Sequence, residues 1–126
     1  PSSEVHNIFI DPHDPRDTER KLEAFFKQHP EIHYIVMFNS RVHLLSDYLT
    51  KHPDPDRIVV GFDNLEKNIS ALRDGLISAL ICQHTDIQSF NAVMALSDYI
   101  IKHKRPEKKD NFMHMDILTS LNIDYY

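Results

Sequence analysis

Glycine is nearly absent from this chain, with only Gly61 and Gly75 among 126 residues. A dinucleotide fingerprint or a phosphate-cradling loop needs several closely spaced glycines, so both are excluded. The single cysteine, Cys82, rules out an internal disulfide. Its place in an apolar run marks it as a buried, inert thiol. No apolar run reaches the ~18 residues of a membrane span. No signal peptide is visible either; with Pro1 and not Met in first place, that absence carries little weight, since a natural N-terminus could have been lost. There is no long basic run and the formal net charge is −5, which argues against nucleic-acid binding by these residues. No serine sits in a G-x-S-x-G elbow, which argues against a hydrolase of that type. Against these absences stand 41% hydrophobic and 26% charged residues, the balance of an ordinary globular protein of one domain's length.

The most informative stretch is Arg57 to Asn64, RIVVGFDN. Ile58, Val59 and Val60 are β-branched and consecutive, the pattern of a strand in a parallel sheet. Gly61 and Phe62 close the run and Asp63 follows. In open parallel α/β sheets, ligands bind outside the carboxyl ends of the strands, so Asp63 stands at the expected ligand rim. Its commoner job would be to cap the next helix. The arrangement occurs twice more: Ile35 to Phe38 ends in Asn39, and Ala79 to Cys82 ends in Gln83. Asp only accepts hydrogen bonds, whereas Asn and Gln also donate. That mixture suits neighbouring hydroxyls of a sugar-like ligand. Phosphate would call for glycine-rich backbone and Lys or Arg.

Taken in order, Val5–Ile10 is expected to be a first strand. Asp14 before Pro15 predicts a helix start, with Leu22, Phe25 and Phe26 facing the core. Ile32–Phe38 reads as the second strand. Asn39-Ser40 can cap a helix with Leu44, Leu45, Tyr48 and Leu49 on its apolar stripe. After the central strand, Leu65, Ile69 and Leu72 mark a third helix ending near Gly75. Leu76–Cys82 reads as the fourth strand. Thr85 can cap the longest helix, whose stripe of Ile87, Phe90, Val93, Met94, Ser97, Ile100 and Ile101 follows the 3.6 period. The charged stretch from His103 to Asp110 is a loop, and Phe112–Leu118 a last strand. Alternation at this spacing predicts an α/β fold of parallel βαβ units, a three-layer α/β/α lobe with a mostly parallel sheet.

Two other constellations compete for a function. Nine histidines raise the question of a metal, but they are scattered over loops, strands and helices, and surface histidines without a metal are expected. His84 stands apart because it neighbours Gln83 at the rim. The second constellation is Asp11 with Asp63. A phosphoacceptor receiver carries acids after its first and third strands, which would make Asp63 the nucleophile and Asp11 a metal ligand. A receiver also needs a second acid beside the first, where this chain has Pro12, and a Lys at the end of strand five, where it has Asp116, Ile117 and Leu118. The receiver is therefore the weaker reading.

The order of strand, GFDN, helix, ALICQ, long helix, short strand and NIDYY resembles the C-terminal lobe of the lac-repressor-type regulators and periplasmic sugar-binding proteins. In that family an Asn, the Asp of G-F-D and a Gln after successive strands contact the sugar. Those positions are Asn39, Asp63 and Gln83. The resemblance is strongest from Ile58 to Leu96. It departs at Ser40 and Arg41, where the family often has an acidic residue, and at His84, where it commonly has proline. It implies a ligand-binding lobe over 1–126, a part of a longer protein, with a second lobe completing the cleft. It further implies a cytoplasmic, homodimeric transcription regulator with a carbohydrate effector, binding DNA through an N-terminal headpiece outside this sequence. A periplasmic sugar-binding protein or the sensor of a membrane kinase would share the lobe. No catalysis, cofactor or membrane contact is implied.

Overall fold

The computed structural model describes residues 4–126. Helix α1, Pro15–Gln28, begins as its sequence predicts: Asp14 Oδ1 accepts from the Asp17 amide at 3.0 Å and Pro15 takes the first turn. Strand β1 is Tyr34–Val36, α2 is His43–Lys51, β2 is Ile58–Phe62 and α3 is Glu66–Arg73. Strand β3, Ala79–Cys82, precedes the long helix α4, Thr85–Lys102. Strand β4, Asp116–Leu118, and a 3-10 turn, Ile123–Tyr125, end the chain.

The four strands form one sheet in the order β1-β2-β3-β4. The first two pairings are parallel, with Ile35 opposite Val59 and Gly61 opposite Leu80. The last is antiparallel, with Cys82 opposite Asp116. The reversal follows from the path of the chain. The segment 83–115 leaves the sheet at the carboxyl edge of β3 and returns to the same edge, so β4 must run down beside it.

Alternate strand residues build one core. Val59, Leu80, Cys82 and Leu118 are buried with Leu22 and Phe26 of α1, Leu45, Tyr48 and Leu49 of α2, and Ala71 and Leu72 of α3. Phe26 lies against Tyr48, with ring centroids 5.6 Å apart, and carries the Arg57 guanidinium 4.0 Å from its ring centre. Three predicted helical stripes thus find their partners on one face of the sheet.

Three expectations change. Val5–Ile10 forms no strand. The His6 ring of that segment lies 4.2 Å from His29 and 6.2 Å from Phe25 at the end of α1. The stripe of α4 is apolar as read, but none of it is buried: Phe90 is 64% and Ile101 72% exposed. The outer face of the sheet is open as well, with Tyr34 78% and Phe38 84% exposed. Amphipathicity shows that a helix has a face to bury, not that its own domain supplies the cover.

Candidate functional site

Because β1, β2 and β3 are parallel, Asn39, Asp63 and Gln83 all leave the sheet at its carboxyl edge. Their local roles differ from the expected capping. Asn39 is exposed, and its Oδ1 accepts from the Arg41 amide at 2.9 Å in a tight turn. It does not cap α2, which starts at His43 after Val42 with no side-chain cap of its own residues. Asp63 does not cap α3 either; Leu65 holds that position, again without a side-chain bond. Thr85 is the first residue of α4, and the preceding cap position belongs to His84.

Asp63 sits in the left-handed region at φ 65°. Few non-glycine residues adopt that backbone, Asp and Asn most readily among them. Its amide donates to the Ile81 carbonyl at 3.0 Å, which ties the rim of β2 to β3. Its Oδ1 is buried with no hydrogen-bond partner among the described residues. Gln83 is half-buried, and its carbonyl accepts from the Gln88 side chain.

The residue that shapes this rim is Asn68, which belongs to none of the strand-end positions. It is fully buried in α3. Its Nδ2, with two hydrogens, serves three carbonyls by sharing one N–H: Ser40 at 2.9 Å, Asp63 at 3.1 Å and Phe62 at 3.2 Å. Its Oδ1 accepts from the His43 amide at 3.2 Å, the first amide of α2. One side chain therefore joins the loop after β1, the end of β2 and the start of α2. A signal was present in the sequence: Leu65, Asn68, Ile69 and Leu72 follow the i, i+3, i+4, i+7 stripe, so Asn68 is a polar residue at a core position.

Beside Gln83 lies a second polar group. His84 Nε2 is 2.8 Å from Asp116 Oδ2, and its Nδ1 is 3.3 Å from the Tyr126 hydroxyl. The His114 ring lies 4.6 Å from that of His84. Elsewhere, His29 and His33 are four residues apart, but His29 is the C-cap of α1 and Pro30 intervenes, so they share no helix. Cys82 is buried beneath the rim, and burial first, then the nearby Asp63 and Asp116 carboxylates, push its thiol pKa up. It is held as the neutral thiol, consistent with an inert role. Asp11 is exposed in a turn, accepting from the His13 amide at 2.8 Å. No strand precedes Asp11 among the described residues, unlike the first acid of a receiver.

No protein-family model and no curated protein sequence matches this chain. Solved structures do. A Bacteroides fragilis protein assigned as a LacI transcriptional regulator shares 38% identity over 86% of this chain, with a TM-score of 0.80. A solute-binding protein of an ABC transporter from Burkholderia graminis, solved with D-arabinose, shares 22% identity over 90% of this chain at a TM-score of 0.75. A glucose-galactose binding protein from Geobacillus stearothermophilus shares 15% over 87%, also at 0.75. The last two likenesses show the fold alone. This chain spans only 37% of the first, 40% of the second and 39% of the third. Its four-stranded, mostly parallel sheet corresponds to one lobe of proteins of that kind. The chain therefore belongs to the periplasmic-binding-protein-like fold family that lac-repressor-type regulators and periplasmic sugar-binding proteins share.

Proposed function

We propose that this chain is the C-terminal, effector-binding lobe of a longer lac-repressor-type transcription regulator, and that it forms half of a carbohydrate cleft. The observation that carries the proposal is the exit of Asn39, Asp63 and Gln83 at one edge of three parallel strands. Asp63 supports it as the one charged acceptor of the three. The 38% identity to the Bacteroides fragilis protein, against 22% and 15% for the sugar-binding proteins, favours a regulator over a transporter component. In this reading the protein is cytoplasmic, and its first lobe and DNA-binding headpiece lie outside the 126 residues. Ligand closes the two lobes, and its differential affinity for open and closed states sets the response. The reading involves no catalysis. A periplasmic sugar-binding protein is the second reading, favoured by the fold shared with the D-arabinose-bound neighbour. The residues preceding Pro1 discriminate: a basic helix-turn-helix marks the regulator and a signal peptide the binding protein.

Half a cleft binds weakly. Hydrogen bonds on a wet rim contribute ~0.5–1.5 kcal/mol each, since they mostly replace bonds to water. Three of them fall near or below the ~4 kcal/mol of a millimolar complex. Calorimetry should detect no sugar binding by the isolated chain and clear binding by the longer protein. There, Asp63→Ala should weaken affinity by about tenfold to a hundredfold, the worth of bonds to a charged acceptor. Asn39→Ala should cost less. Micromolar binding by the isolated chain would refute the half-cleft, and an unaffected Asp63→Ala protein would refute the ligand assignment.

The exposed stripe of α4 fits the same reading. Phe90, Val93, Ile100 and Ile101 form an apolar face that the rest of the longer protein would cover. Homodimerisation belongs to the longer protein, and the isolated lobe should self-associate through whichever apolar face is left bare. Sedimentation should show concentration-dependent association, reduced by Phe90→Glu with Ile101→Lys. A strict monomer at high concentration would count against it.

A further inference from the structure

We propose that His84, His114 and Asp116 form a binding site for a zinc ion at the neck where the α4 segment leaves and rejoins the sheet. Each offers one ligand atom, and those atoms lie within 4.8 Å of one another. The site is built from both legs of the neck. His84 follows the end of β3, whereas His114 and Asp116 lie on the returning leg, with Asp116 the first residue of β4. Cys82 and Asp116 are register partners, so the two legs are held together by the sheet before any metal arrives.

Two of the ligands are already positioned. The His84 side chain is 13% exposed, and its Nε2 stands 2.8 Å from Asp116 Oδ2. Its other nitrogen faces the Tyr126 hydroxyl at 3.3 Å. A metal-bound imidazole commonly donates its second N–H to such an oxygen, which orients the ring and sets its tautomer. His84 reaches this position from a left-handed backbone, φ 52°, a conformation that non-glycine residues seldom adopt. His114 is exposed, with its ring 4.6 Å from that of His84. Tetrahedral zinc with bonds of about 2.0–2.1 Å sets its ligand atoms about 3.3 Å apart, so His84 and Asp116 would open slightly from 2.8 Å while His114 closes in from a separation of no more than 4.8 Å.

The donor set selects the ion. Two imidazoles and one carboxylate suit zinc and related first-row metals, whereas magnesium and calcium prefer all-oxygen shells. Three protein ligands leave a fourth position for water. A bound ion would close the segment between residues 84 and 114 and fix the backbone next to Gln83. This inference is independent of the carbohydrate reading.

The test is a calorimetric titration of the 126-residue chain with ZnCl2, repeated with MgCl2. One zinc should bind with micromolar or tighter affinity, and magnesium should not bind. His114→Ala removes an exposed ligand without disturbing the core and should weaken zinc at least tenfold. Asp116→Asn should also weaken it, and His103→Ala, an exposed histidine outside the cluster, should leave it unchanged. Zinc should raise the melting temperature of the native chain and not that of His114→Ala. Absence of saturable zinc binding overturns the proposal. So does full affinity in His114→Ala, or an equal loss in His103→Ala, which would mark adventitious binding to surface histidines.

Discussion

Replacing Asn68 by alanine is expected to destabilise the chain by about 3 kcal/mol or more, because each buried polar group left unsatisfied costs about 1–3 kcal/mol. Alanine would orphan the carbonyls of Ser40, Phe62 and Asp63, together with the His43 amide. Relaxation and water entry would return part of that loss, so the penalties do not simply add. Asn68→Asp should do no better, since a carboxylate cannot donate and would face three carbonyl oxygens. Urea unfolding monitored by circular dichroism measures both. A loss below about 0.5 kcal/mol, the range of ordinary surface substitutions, would show that Asn68 does not hold the rim together. The same substitution should loosen the loop carrying Asn39 and the backbone of Asp63, since both are tied to this one amide. Binding by the longer protein would then fall along with stability.

Gly61→Ala should also damage the fold, for a steric reason. A Cβ at Gly61 would lie 2.4 Å from Cγ1 and 2.7 Å from Cβ of Val42. Val42 is fully buried and β-branched, so it can neither move aside nor rotate cheaply. Overpacking of this kind costs about 1–3 kcal/mol. Gly61 does not have a left-handed backbone; the close approach of the residue before α2 is what excludes a side chain. Val42→Ala in the same chain should therefore recover part of the loss, and a double-mutant cycle should show a favourable coupling. Additive effects, or a Gly61→Ala chain as stable as the parent, would remove the steric explanation. The G-F-D motif thus carries two separate requirements, close packing at Gly61 and a polar rim at Asp63.

Several elements were legible because their determinants lie within a few residues. Asp14 and Pro15 mark the start of α1, and the runs IVV and ALIC mark β2 and β3. Asn39, Asp63 and Gln83 could be placed at one edge because strand and helix alternate, and alternation makes the strands parallel. Asn39-Ser40 suggests a local cap for α2, but the first amide of that helix is served by Asn68, 25 residues away. Val5–Ile10 had the composition of a strand but no paired backbone, and composition cannot report a partner.

By itself the sequence determined the α/β class, the helical faces, the polar residue at each strand end and the likeness to the lac-repressor-type lobe. Local spacing suffices for these, because side-chain periodicity and turn chemistry act over a few residues. Only the tertiary structure decided that β4 runs antiparallel, that α4 and the outer sheet face are uncovered, and that residues 84, 114, 116 and 126 meet. Those outcomes depend on the path of a 33-residue excursion, 83–115, that returns to the edge it left. No short-range rule encodes where such a path comes back.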